Sequence, residues 1–320
     1  MIFKMKKMLK IGLLAIIGVV ILIFGILAIL KRENVEDESY AVMATNFVGY
    51  DFARAVMGES DDVGMLLAPG AEMHDFEPTP QDIINIKKAD FLIYIGGESE
   101  SWVERMIESN DIDRNKTLRL MGLVELKEEE VIEGMELEGE DEEEEEYDEH
   151  IWTSPRNAIM LVRAIEDRLS EIWPENKEHY HKNAETYISR LEKIDQQIRE
   201  VVEDAEKKEL IFGDRFPFRY FVDEYGLDYY AAFPGCSEQT EASSKTVAFL
   251  VDKAKQDGIK YILKIELTDG KLAKVIAEEV GAEVRELSAA HNISKEDFEN
   301  GITFVDLMER NTEVLKEVLR

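Results

Sequence analysis

The chain has 320 residues, 45% of them hydrophobic and 33% charged, enough for a folded core and roughly two domains of ordinary size. Its formal net charge of −31 argues against nucleic acid as a partner, because phosphate recognition needs basic surface. The single cysteine, Cys236, excludes an intramolecular disulfide and every cysteine-rich zinc site.

Residues 1–10 carry Lys4, Lys6, Lys7 and Lys10, and residues 11–30 are uncharged and apolar up to Lys31 and Arg32. A run of that length crosses a hydrocarbon core of about 30 Å as a helix. It is longer than the apolar part of a cleaved secretory signal, and Leu27-Ala28-Ile29 offers no small-residue cleavage pattern. The excess of lysines before it predicts a cytoplasmic N-terminus (1–10), a single-pass anchor in the cell membrane (11–30), a polar tether (31–39) and an extracytoplasmic remainder. A cleaved signal is the alternative. No cysteine in the run could carry a lipid, so the helix itself would be the anchor.

From residue 40 the pattern is strand and helix in short alternation. YAVMATNF (40–47) and FLIYI (91–95) read as buried strands, and DFARAVMG and QDIINIKKA read as helices. Such alternation is the signature of an α/β fold with parallel sheets. Residues 125–149 interrupt it with sixteen acids against the single Lys127, a net of −15. A run this charged predicts a disordered loop over about 128–149. Ser154-Pro155 then opens a helix with an apolar stripe through Ile159, Val162, Ile165, Leu169 and Ile172. After Pro174, Tyr180, Ala184, Tyr187, Leu191, Ile194, Ile198 and Val201 step alternately by four and three, predicting one long helix. The strand rhythm restarts at LIF (210–212), YYAAF (229–233), YILKI (261–265) and VREL (284–287), with helices at 244–257 and 271–280 between them. The expected organisation is an N-terminal lobe (40–174), a rigid connecting helix (175–207) and a C-terminal lobe (208–320). Each lobe would be Rossmann-like, with a mainly parallel sheet flanked by helices.

Five histidines punctuate this plan. His179 and His181, among lysines and glutamates on the long helix, read as a solvated face. His74 lies in the proline-punctuated PGAEMHDFEPTP, His150 directly before the IWTSP helix start, and His291 after the last strand, where parallel sheets open onto a crevice. Each alone reads as an ordinary surface residue. Together, at strand exits and helix starts, three neutral imidazoles and a carboxylate would suit Zn²⁺. Periodicity does not bring these loops together.

PGAEMHDFEPTPQDI, DEHIWTSPRNAI and the long helix resemble the extracytoplasmic solute-binding proteins of zinc and manganese ABC transporters. In that family the two motifs read approximately PG-x-x-x-H-x-[YF]-E-P-[ST] and [DE]-x-H-x-W-x-[SD]-P, each histidine a metal ligand. The resemblance covers about residues 40–320 and implies His74 and His150 as ligands from the first lobe. The family's charged loop before the second ligand is often histidine-rich; here it is glutamate-rich. Many members carry a His or Glu ligand after the first strand of the second lobe, whereas this chain has IFGDRFPFRYFVDEYGL. Asp214 is the nearest candidate there, although an ion pair with Arg215 would explain it as well. The fourth ligand of the family falls in the loop that here holds His291. Asp214 or a water would complete the set. Glu241 reads as an acid near a helix N-terminus, and Cys236 as an inert buried thiol.

The resemblance implies a binding protein, expected to be monomeric, that captures Zn²⁺ outside the membrane and delivers it to an ABC permease. Mn²⁺ or Fe²⁺ is the alternative cargo; three imidazoles and at most one carboxylate favour zinc. A zinc metalloenzyme is disfavoured because no paired-histidine helix or tied general base is visible. Haem or siderophore binding would use the aromatics of 215–221, and adhesion would use the acidic loop. Glu143, Glu144, Glu145, Glu146, Asp148 and Glu149 are expected to gather cations weakly beside His150.

Overall fold

The computed structural model describes residues 40–58, 60, 62–73, 76–135, 146–237 and 242–320. The expected anchor and tether (1–39), His74, Glu241 and the acidic stretch 136–145, with Glu143, Glu144 and Glu145, lie outside the described residues.

The first lobe is built on β1 (Val42–Ala44), β2 (Val63–Met65), β3 (Phe91–Tyr94) and β4 (Thr117–Arg119), all parallel, in the order β2-β1-β3-β4. The residues of β1 and β3 are all at most 2% exposed, as expected of strands covered on both faces. β1 stops well short of the apolar run that announced it. Asn46 turns the chain, its side-chain oxygen accepting from Gly49 N at 3.0 Å, and so caps α1 (Phe47–Met57). The helices α2 (Pro80–Lys88) and α3 (Ser101–Ser109) follow, α2 opened by a capping box between Thr79 and Asp82. Ser154 caps α4 (Pro155–Ile172), accepting from Asn157 N at 3.1 Å.

The second lobe repeats the plan with β5 (Glu209–Phe216), β6 (Asp228–Pro234), β7 (Tyr261–Lys264) and β8 (Glu283–Glu286), parallel in the order β6-β5-β7-β8. Its helices are α6 (Arg219–Tyr225), α7 (Ser244–Asp257), α8 (Lys271–Val280), α9 (Lys295–Glu299) and, closing the chain, α10 (Phe304–Val318). α8 lies so close on β5 that a Cβ at Gly213 would come within 2.4 Å of the Ala273 Cα, so only glycine fits there. The register of β5 against β6 shifts between Phe212 and Arg215, at the position of Asp214.

Between the lobes runs α5 (Lys177–Glu203), 27 residues and about 40 Å at 1.5 Å per residue. Its stripe from Tyr180 through Ile198 is buried. On the side of the first lobe Asn183 Nδ2 donates to Val56 O at 3.0 Å. On the side of the second, Arg199 reaches Glu224 at 2.7 Å, and Arg190 reaches Asp306 at 2.8 Å.

The expectation of disorder across 128–149 fails at both ends of that stretch. Residues 128–135 and 146–149 form a stem, with a Glu128–Tyr147 bridge and Glu129 N donating to Glu146 O at 2.8 Å. The stem lies on the second lobe. Lys127 pairs with Asp223 at 2.6 Å, Lys127 N donates to Tyr220 Oη at 3.1 Å, and Met135 is buried in the main core. Charge density alone overstates repulsion here, because a few apolar side chains and a lysine find partners across the lobe boundary. RFPFRYF is corrected too: Phe216, Phe218 and Phe221 are each 2% exposed and pack in the core, with Phe216 stacked on Tyr229 at 3.6 Å. They line no chelate pocket.

Candidate metal site

His150 is fully buried just before the turn that leads into α4. Its backbone N–H and its Nδ1 both reach Asp148 Oδ1, at 2.8 and 3.1 Å. Asp148, expected among the cation-gathering acids, is only 1% exposed and is itself fixed in place by its backbone, whose carbonyl accepts from Tyr220 Oη at 2.9 Å. Burial pushes its carboxyl up to about 7, against the pull of the His150 N–H. Burial likewise holds His150 well below its ordinary value, helped by the nearby His291 and Arg215, so the imidazole is neutral.

His291 comes from the loop after β8. Glu266, at the exit of β7, takes its backbone N–H at 2.9 Å and its Nδ1 at 3.2 Å on Oε1, and the N–H of Ala289 at 2.7 Å on Oε2. Burial alone would raise Glu266, but these donors outweigh it and hold the carboxyl below its usual range. Asp148 moves the opposite way because it is as deeply buried with fewer donors.

The two imidazoles meet. Their ring centroids are 4.3 Å apart at an interplanar angle of 78°. In each ring Nδ1 faces a carboxylate, the arrangement that favours a proton on Nδ1 and leaves Nε2 for a metal. Trp152, fully buried, stands 5.6 Å from His150 and 6.0 Å from His291, and its indole N–H donates to Ala289 O at 2.7 Å.

The segment that leads to His74 reaches the same place. Asn292 Nδ2 donates to Ala68 O and to Ala71 O, each at 2.8 Å, and Gly70 N donates to Ile293 O at 2.8 Å. Arg215 bridges to Glu72 at 3.0 Å, so its ion pair is with the first lobe and not with Asp214. The residues beside His291 thus latch loop 68–73 from the opposite lobe.

Asp214 is engaged within its own lobe. Its Oδ2 accepts from Thr268 Oγ1 at 2.7 Å and from Ile265 N at 3.4 Å, and its Oδ1 accepts from Arg215 N at 3.0 Å. Two more of the expected cation-gathering acids, Glu149 and Glu146, are described. Glu149 is 2% exposed and holds Ser99 through its backbone N–H at 2.9 Å and its hydroxyl. Glu146 is exposed, and partial burial together with a hydrogen bond to Glu98 pushes it up to about 7. Cys236 donates its N–H to Glu129 Oε1 at 2.7 Å, and burial pushes its thiol well above the ordinary value. His181 is exposed and paired with Glu166 at 2.9 Å, as a solvated face implies.

Sequence reasoning missed Glu266 and Asn292. The signal for Glu266 was its place directly after the predicted strand YILKI, at the carboxyl end of a parallel sheet. Nothing local marks Asn292. Among the described residues no group of three or more His, Cys, Asp or Glu is arranged to hold a metal ion; His74, the third candidate, is outside them. The donor set nevertheless fits zinc, with two buried imidazoles that each have Nδ1 against a carboxylate and Nε2 turned away from it.

Residues 42–318 match the family model described as zinc-uptake complex component A, periplasmic. The high-affinity zinc uptake system protein ZnuA of Bacillus subtilis is 33% identical over 295 residues, covering 87% of each chain. The zinc-binding lipoprotein AdcA of Streptococcus pneumoniae is 30% identical over 288 residues, 90% of this chain and 57% of that protein, so this chain spans little more than half of that relative. Among solved structures, the Zn(II)-bound ZnuA-like domain of AdcA superposes with a TM-score of 0.72 at 29% identity, covering 88% of this chain and 99% of the domain. The metal-dependent lipoprotein YcdH of B. subtilis gives 0.73 at 31% identity, with 88% and 99% covered.

Proposed function

The chain belongs to the family of periplasmic zinc-uptake components, and from that premise we propose that it captures Zn²⁺ outside the membrane and delivers it to an ABC permease. His74, His150 and His291 supply the imidazole nitrogens. Asp214 already accepts from Thr268 and Ile265, so a water fills the fourth place. The reading rests above all on one observation: two buried imidazoles from opposite lobes, 4.3 Å apart, each have Nδ1 against a carboxylate. Neutral nitrogen donors prefer zinc to manganese, which favours oxygen-rich sites of higher coordination number. One chain provides all three imidazoles, so a monomer suffices. The relatives named lipoproteins are, by that name, lipid-bearing. This chain has its single cysteine at Cys236, so residues 11–30 are proposed as a helical anchor that keeps the two lobes at the outer membrane face.

A competition titration against a chromophoric chelator tests the assignment. Replacing His74, His150 or His291 by Ala should weaken zinc binding at least tenfold each, about 1.4 kcal/mol. Unchanged affinity in two of the three variants would end this reading.

A further inference from the structure

Asp148 reaches His150 from two residues away, an arrangement any short loop can make. The carboxylate that serves His291 comes from another strand, 25 residues distant, and the way it is held points to a more specific role. We propose that Glu266 is the positioning residue that presents His291 to the metal, and that Asp214 acts one step behind it by fixing the turn that carries Glu266. The proposal rests on the assignment of His291 as a zinc ligand.

The geometry is a clamp. Three donors converge on the Glu266 carboxylate, namely Ala289 N, His291 N and His291 Nδ1, at 2.7, 2.9 and 3.2 Å. Holding the N–H groups on both sides of Ala290 bends the chain there, and Ala290 sits at φ +57°, a left-handed conformation a residue with a Cβ adopts only under constraint. The same carboxylate fixes which nitrogen of His291 bears the proton, and therefore which one can bind a metal. Glu266 thus sets both the backbone position of the imidazole and its tautomer.

Glu266 is in turn braced from behind. Leu267, the next residue, is also left-handed at φ +59°, so the turn after β7 is as constrained as the one it grips. Asp214 ties that turn on both sides of Glu266, through Ile265 N before it and Thr268 Oγ1 after it. Asp214 lies within β5, and Glu266 and His291 follow β7 and β8, its successive neighbours in the sheet. An aspartate at the register shift of β5 is therefore accounted for without metal contact.

Three measurements on the 40–320 unit within the full chain test this. Long-range ¹H–¹⁵N spectra of the metal-free protein read the His291 tautomer, competition titration reads zinc affinity, and the visible absorption of the Co²⁺-loaded protein reads the coordination sphere. In the wild type His291 should carry its proton on Nδ1. E266A should lose that preference and weaken zinc about 10- to 100-fold, the range for loss of a carboxylate behind a ligating histidine. E266Q, the same size with one acceptor oxygen kept, should recover part of the loss and keep the Co²⁺ band shape and intensity. D214N should weaken zinc less than E266A does. Zinc affinity of E266Q and E266A both within twofold of wild type would overturn the proposal. So would a Co²⁺ spectrum in E266Q that reports a changed ligand number, since Glu266 would then be a ligand. If the wild type itself fails to bind zinc, the proposed function falls first, and the tautomer spectra alone then decide whether Glu266 positions His291.

Discussion

Glu100 shows at a single residue what burying a carboxylate does to this fold. It is 3% exposed just before α3, and its Oε2 accepts from Ile95 N at 2.6 Å and Gly96 N at 2.9 Å, both at the exit of β3. Burial outweighs those bonds and pushes it up to about 7. A carboxyl raised in the fold contributes stability that is fully present below its unfolded value near 4.5 and is lost as pH rises through about 7. The metal-free protein should therefore lose stability from Glu100 as pH rises from about 4.5 to about 7, by up to about 3 kcal/mol. Chemical denaturation across that range should show a shallower decline in E100Q, whose neutral amide keeps an oxygen for both N–H groups. An identical slope in E100Q would remove Glu100 from the account. At this same scale, His150 and His291 were legible because histidine is rare here and both lie at element boundaries. Asp148 and Glu149 were not, because counting charges in an acidic run does not separate a solvated carboxylate from a buried one. Glu266 was invisible for a different reason: its partner is 25 residues away, beyond any local pattern.

Among the elements, α5 was the most legible, since its alternating steps of four and three extend over many turns and nothing in the sequence interrupts them. The strands were visible as apolar runs, but their ends were set by side chains inside those runs. Asn46 ends β1 by capping α1, although it is flanked by Thr45 and Phe47 in a stretch that reads as continuous strand. The acidic stem was hidden because Leu126, Ile132 and Met135 are few among many glutamates, yet they pack against the core. The length of α5 has a mechanical outcome. It touches the first lobe at Val56 and the second at Glu224, and a continuous helix of that length resists bending. Metal release should open the cleft only slightly. Small-angle scattering of the metal-free and zinc-loaded forms should give nearly equal radii of gyration. A marked compaction on loading would show that α5 is not a strut.

On the scale of the molecule, the acidic stretch dominates the charge. Its ends are built into the fold at Tyr220, Asp223 and Cys236, so the functional segment to remove is 136–145, with the stem left in place. A segment so rich in carboxylates next to the stem that carries Asp148 and His150 should raise the local cation concentration. Its deletion should leave zinc affinity at equilibrium almost unchanged and slow zinc capture in rapid mixing at low ionic strength. At 0.1 M salt and above, where the screening length is about 10 Å, the difference should shrink. An association rate that does not respond to the deletion even at low salt would reduce the segment to a solubilising one. The way the two sheets share their interior has a consequence for folding. Phe52 from α1 packs edge to face with Tyr187 from α5 and Phe304 from α10, at centroid distances of 5.8 and 5.2 Å, and one continuous apolar cluster runs from Val42 to Leu319 through both lobes. Two sheets that solvate the same helix only by separating from it cannot melt one at a time without exposing the other's core. The shared cluster predicts that the lobes unfold as one cooperative unit, and that a lobe excised from this chain would lose the part of its interior that the other supplies.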